Sequence, residues 1–125
     1  MEIRVEGVTD WLASDIPAWA TAVRHNANMV EREGTLILTA RNMTGDVGYA
    51  IFDKPMSHLH YIETRKDCRR QGVAASLWER VQREAVHDVI TATGDSEEGM
   101  ARLVAWGFDE GDGMWTWRRP TAPAD

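Results

Sequence analysis

The sequence predicts an α+β fold: a single domain whose mixed, mostly antiparallel central sheet is flanked by helices in the order β-α-α-β-β-β-α-β-α-β. Three observations carry the prediction. Two β-rich runs, residues 36–40 and 47–52, flank Asn42-Met43-Thr44-Gly45-Asp46, a connection of turn formers, and so read as a hairpin. A third run, residues 58–64, alternates with the period of a strand. It passes through the basic turn Arg65-Lys66-Asp67-Cys68-Arg69-Arg70-Gln71 into Gly72, after which Val73, Leu77, Val81 and Ala85 recur at helical spacing.

The other elements follow in order. Residues 2–5 read as a first strand and residues 10–14 as a short helical turn. Asp15-Ile16-Pro17 is a helix-start signal, with Asp15 as cap and the proline in the first turn. Trp19, Val23, Ala27 and Val30 form that helix's apolar stripe, and it stops near Gly34. Asp53-Lys54-Pro55 breaks the strand at 47–52 before the His58 strand begins. Residues 89–93 form the next strand, Asp95-Ser96 caps a helix through Trp106, and Gly107 ends it. Residues 108–119 must hold two short strands, the second being the alternating Met114-Trp115-Thr116-Trp117-Arg118. The domain therefore spans residues 1–119, and residues 120–125 read as a disordered tail.

Composition narrows the class. No run of eighteen apolar residues occurs, which excludes a membrane helix, and the start Met1-Glu2-Ile3-Arg4 has no signal-peptide character. The single cysteine, Cys68, forms no internal disulfide and fits a reducing, cytoplasmic location. A net charge of −6 argues against general nucleic-acid binding. Yet Arg65, Lys66, Arg69 and Arg70 fall close together, a positive island suited to one small polyanion. The acidic remainder would attract a cationic amine, and it serves solubility equally well.

A strand that delivers its chain into a glycine-marked helix start, wrapped in arginines, describes an anion site: free N–H groups and the helix dipole converge there. The hexapeptide Arg69-Arg70-Gln71-Gly72-Val73-Ala74 resembles motif A of the GNAT superfamily of acyl-CoA-dependent N-acyltransferases, Gln/Arg-x-x-Gly-x-Gly/Ala. The predicted element order agrees with the fold of that superfamily over nearly the whole chain. The resemblance implies that acetyl-CoA is the co-substrate. Its pyrophosphate would lie on Arg69, Arg70, Gln71, Gly72, Val73, Ala74 and Ala75, and its pantetheine arm along the backbone of Ile62, Glu63 and Thr64. It also implies an amine acceptor, small-molecule or protein, and pairing into homodimers through sheet edges.

Acyl transfer to an amine needs a base, and His58 and His60 stand two apart on one predicted strand, hence on one face. Ile62 and Thr64 are expected to continue that face, with Tyr61 and Glu63 turned away. The His-Leu-His arrangement resembles the arylalkylamine N-acetyltransferase branch, in which a His-x-His pair deprotonates the amine. That resemblance implies a catalytic role for His58 and His60. No metal is expected, since His25 and His87, the other histidines, fall on predicted helices.

Residues 96–108 partly resemble the family's motif B, but Leu103 stands where a tyrosine commonly protonates the departing thiolate. Cys68 reads as a turn residue and not as a nucleophile. The sequence thus points to an N-acetyltransferase using acetyl-CoA and a primary amine. Two alternatives stay open: a CoA-binding regulatory module with little catalysis, and an enzyme acting on protein lysine or aminoacyl-nucleic acid.

Overall fold

The computed structural model describes residues 1–94 and 96–121. Seven strands form one sheet: β1 Glu2–Gly7, β2 Thr35–Asn42, β3 Gly45–Asp53, β4 His58–Thr64, β5 Val89–Ala92, β6 Asp109–Gly111 and β7 Met114–Arg118. Their spatial order is β1-β2-β3-β4-β5-β7-β6. Four helices complete the described residues: α1 Val8–Leu12, α2 Thr21–Met29, α3 Val73–Glu84 and α4 Glu97–Ala105. The predicted α+β architecture is the observed one, with the C-terminal hairpin present as β6 and β7.

Two apolar cores lie on opposite faces of the sheet. On one face α3 and α4 bring Leu77, Trp78, Val81 and Leu103 against Leu38, Ala50, Phe52 and Ile90. On the other, α1 and α2 bring Val8, Trp11, Val23 and Ala27 against Ile37, Tyr49 and Ile51. Tyr49 is fully buried between Trp11 and Trp19, and its hydroxyl donates to Asp46 at 2.6 Å. Trp19 is therefore a packing residue, as its place in the apolar stripe indicates.

The N-terminal helices differ from expectation. Val8 and Trp11 are both buried, so α1 begins at Val8, directly after β1. Asp15 does not cap a helix. Pro17 is extended (φ −58°, ψ 147°), residues Ala18–Ala20 form a 3-10 turn, and α2 begins only at Thr21. It ends at Met29, and Gly34 closes the connection to β2 with φ 90°. Ser96 does cap α4, its Oγ accepting from the Gly99 N–H at 3.0 Å. The expected share of Asp95 in that cap, and the end of the tail at 122–125, lie outside the described residues.

Two irregularities of β4 position the site. First, β4 pairs with β5 in parallel at only two places, His58 with Thr91 and Leu59 with Ala92. Beyond Leu59 the two strands part, and a wedge opens between them. Second, β4 carries a β-bulge: Ile51 pairs with Tyr61 and Phe52 with Leu59, so His60 is passed over in the ladder. The bulge reverses the alternation. Leu59 and Ile62 both pack on the α3 side, while His58 pairs with Asp53 and Tyr61 with Ile51 on the α2 side. The expectation that Ile62 and Thr64 share the histidines' face is thereby overturned. Tyr61 and Glu63 take that face instead.

Candidate active site

The turn between β4 and α3 is built around Arg65. Its guanidinium donates to Asp67 at 2.6 Å, to Thr44 Oγ1 at 2.8 Å and to Cys68 Sγ at 3.3 Å, while its backbone N–H donates to Val47 O at 2.8 Å. Arg65 thus fastens the turn to the β2–β3 hairpin and is withdrawn from the positive island. Arg69 and Arg70 stay exposed at the rim. Cys68 is buried within the turn.

Past Arg65 the chain curls sharply. Arg70 has φ 69° and Gly72, the residue before α3, has φ 77°. Left-handed backbone at Gly72 favours glycine, and a β-carbon there would meet nothing within 4 Å. No side-chain cap hydrogen bond is made at the start of α3, where the first N–H groups have no intrahelical partner. This concave, donor-rich surface with two arginines beside it is suited to phosphate.

Two adjoining clefts run from this turn into the β4–β5 wedge. The outer, of about 470 Å³, is lined by Arg69, Arg70, Gly72, Val73, Ala74 and Ala75. The inner, of about 190 Å³, is lined by His60, Tyr61, Ile62, Glu63, Thr93 and Leu103, among others. Thr64, Arg69, Glu98, Arg102 and Trp106 border both, making one continuous groove. Thr64 is 6% exposed, and its Oγ1 has no hydrogen-bond partner among the described residues. A buried hydroxyl left unpaired on a cleft wall fits a ligand that supplies the missing partner. The groove runs from the donor-rich turn at one end to a narrower interior at the other.

Of the residues expected at the site, His60, Ile62, Glu63, Thr64, Arg69, Arg70, Gly72, Val73, Ala74 and Ala75 line the groove. Gln71 and His58 do not. Sequence reasoning missed the α4 contribution, Glu98, Arg102 and Trp106. Their spacing of four puts them on one helical stripe, and that signal was readable. Arg102 lies over Trp106, its guanidinium carbon 5.8 Å from the ring centroid. Trp106 in turn stacks on Trp78 at 5.4 Å. Leu103 is buried in the groove wall, and its aliphatic side chain offers no proton.

The two histidines occupy different surroundings. His58 is clamped to β5: Nδ1 lies 2.6 Å from Thr91 Oγ1 and Nε2 lies 3.1 Å from Thr93 Oγ1. His60 stands edge-on to it, ring centroids 4.6 Å apart, and reaches the inner cleft. Its Nε2 is 3.4 Å from Arg32 Nη2 and 3.9 Å from Asp53 Oδ2. Burial pushes His60 down to about 4, with His58 and Arg32 acting in the same sense and Asp53 opposing. The 3.9 Å approach to Asp53 is therefore no ion pair at neutral pH. Burial likewise lowers His58. Glu63 moves the other way: burial raises its carboxyl, against the pull of Arg69 and a hydrogen bond from Tyr61. No group of three or more His, Cys, Asp or Glu side chains arranged for a metal occurs among the described residues.

The fold recurs in known proteins. The family profile described as an acetyltransferase (GNAT) domain matches residues 4–97. Among solved structures, a GCN5-related N-acetyltransferase from Rhodopseudomonas palustris superposes with TM-score 0.68 at 16% identity, covering 94% of each chain. Escherichia coli YhhK bound to coenzyme A superposes with TM-score 0.62 at 18% identity, covering 94% of this chain and 99% of the other. The E. coli ribosomal-protein-S18-alanine N-acetyltransferase gives 0.60 at 14% identity, covering 98% and 97%. A search of the sequence against curated proteins returns no significant match. At these identities the solved structures speak to the fold, and the profile, spanning most of the chain, speaks to the family: the chain belongs to the GNAT acetyltransferases.

Proposed function

We propose that this protein is an acetyl-CoA-dependent N-acetyltransferase that acetylates a primary amine by direct attack, with His60 as general base and His58 as the ring that orients it. The observation that carries the reading is the continuity of the groove. It joins the left-handed Gly72 turn, suited to pyrophosphate, to an inner cleft walled by a neutral imidazole. Arg69, Arg70 and the segment from Gly72 to Ala75 hold the diphosphate, and the β4 edge at Ile62, Glu63 and Thr64, parted from β5, lies along the pantetheine.

Acetyl-CoA supplies the thioester carbon. His60 Nε2 takes the proton of the amine as its nitrogen forms the new C–N bond and the C–S bond breaks. The electron pair leaves with the thiolate, which suits a thiol of ordinary acidity. The His60 imidazolium, a strong acid in this setting, returns the proton to that sulfur. Leu103 thus needs no phenolic counterpart. Glu63 and Glu98 on the groove wall favour a cationic acceptor, which gives its first proton to bulk solvent so that the neutral amine nitrogen attacks.

The reading is tested by thiol release from acetyl-CoA against a panel of primary amines. Release that requires an amine supports it. The apolar Leu103 favours a second reading, a CoA-binding module: calorimetric CoA binding with no thiol release across the panel would select it. The likeness to an enzyme of ribosomal protein S18 keeps protein amines among the acceptors. Labelled acetyl-CoA in a lysate, read by mass spectrometry, separates protein from small-molecule acceptors.

A further inference from the structure

Asp53 ends β3 as a nearly inaccessible carboxylate, 1% exposed, beside the histidine pair. Its Oδ1 accepts from the Met56 N–H at 2.9 Å, and its Oδ2 accepts from Arg32 Nε at 2.7 Å and lies 2.6 Å from Arg32 Nη2. Arg32 comes from the connection between α2 and β2, and its own side chain is half exposed. The same Nη2 reaches His60 Nε2 at 3.4 Å. One guanidinium therefore stands between a buried anion and an imidazole that are themselves 3.9 Å apart.

That intermediate place has a chemical consequence. A buried carboxylate this close to an imidazole, with no other counter-ion, would draw a proton onto it and form a carboxylate–imidazolium pair. Arg32 satisfies the carboxylate first. It also points an N–H at Nε2, which a neutral ring accepts and a protonated ring cannot. We propose that Arg32 is a positioning residue: by claiming Asp53 it keeps the His60 ring neutral, with Nε2 as the lone-pair nitrogen. The inference rests on His60 as base only for its effect on rate. Its effect on the ring is independent of that reading.

The charged and titratable groups around His60 are few. Arg32, Asp53 and His58 act on it directly. On its own strand Tyr61 and Glu63 share its face, and Glu63 is engaged by Tyr61. From β5 the facing groups are Thr91 and Thr93, which do not titrate, and both contact His58. On α2 the titratable residues Arg24 and His25 are exposed. Among these, Asp53 alone is a carboxylate in reach of Nε2, and Arg32 alone neutralises it.

The test uses Arg32→Gln and Arg32→Lys in the full chain. Glutamine leaves Asp53 a hydrogen-bond donor while removing the charge, and thermal melting checks that each variant folds. The His60 titration is followed by NMR, and the pH dependence of kcat is measured with acetyl-CoA and an amine. In Arg32→Gln the His60 titration should rise by about one pH unit or more. The acid limb of kcat should move up with it, so that turnover falls severalfold at about pH 4–5 and stays close to the parent near pH 7. Lysine, which keeps the charge, should leave both close to the parent.

An unmoved His60 titration in a folded Arg32→Gln protein overturns the proposal. So does a titration raised equally in Arg32→Lys, which remains a test should the glutamine variant not fold. A raised titration with an unmoved rate profile upholds the role of Arg32 and removes His60 as the base.

Discussion

Gly48 of β3 lies directly beneath Val73, the first residue of α3: a β-carbon at Gly48 would fall 2.5 Å from Val73 Cγ1. It would also crowd Leu77 Cδ1 and the Glu63 carbonyl, each at 3.2 Å. The helix that follows the Gly72 turn comes this close to the sheet because Gly48 has no side chain. Val73 is β-branched and has little freedom to move aside.

Gly48→Ala should therefore lift the N-terminal end of α3. The expected loss is about 1–3 kcal/mol of stability, typical of overpacking, with a fall in Tm of several degrees. Calorimetric affinity for CoA should weaken in the same variant, because Val73 and Gly72 move together. A melting curve and CoA affinity both equal to the parent would show that α3 is seated some other way.

Gly72 separates conformational from electrostatic effects. Asparagine and aspartate both tolerate left-handed backbone better than other side chains, and space at Gly72 is open. Gly72→Asn should keep most CoA binding. Gly72→Asp, of nearly the same shape, sets a carboxylate against the diphosphate and should weaken binding by about tenfold or more. Equal affinities in the two variants would place the diphosphate elsewhere.

The histidines should not be equivalent. His60→Gln is expected to lower kcat by about 10²-fold or more while leaving CoA affinity intact. His58→Asn, which removes a ring already engaged at both nitrogens, should cost less. Steady-state kinetics on the two variants, with calorimetry for CoA, decide this. A larger loss at His58 would exchange their roles.

Acid should destabilise the fold through the same ring. His60 titrates near 6.5 unfolded and at about 4 folded, so the unfolded chain binds the extra proton first. Stability is full above about 6.5 and declines as pH falls towards 4, by a limit on the order of 3 kcal/mol. Asp53, held below the ordinary carboxylate range by the Met56 N–H and Arg32 against the effect of burial, adds a loss at lower pH. Denaturant unfolding across pH 4–7 should show a shallower decline in His60→Gln than in the parent.

How much of this was legible in the chain differs from element to element. The hairpin at 42–46, the strand entering Gly72 and the helix stripe Val73, Leu77, Val81 announce themselves through local periodicity and turn chemistry, and they stand where expected. The start of α2 was misread because Asp15-Ile16-Pro17 carries a start signal that the chain does not use. The early burial of Val8 and Trp11 takes up the preceding turn instead. The stripe Glu98, Arg102, Trp106 was visible at helical spacing, but nothing local says that it borders a cleft.

By itself the sequence determined the family and the fold class and marked the turn at Gly72, since each rests on residues near one another along the chain. Only the tertiary structure decided how β4 is used. The bulge that passes over His60 arises from the register between β3 and β4, and it turns Ile62 away from the histidines and Tyr61 towards them. The partner of Asp53 is Arg32, distant in sequence and joined to it only once β2, β3 and β4 lie side by side. Periodicity is a property of neighbours along the chain, whereas register and ion pairing belong to neighbours in space. The residues that line the groove along β4 and the Gly72 turn could be read in advance, and the electrostatics around His60 could not.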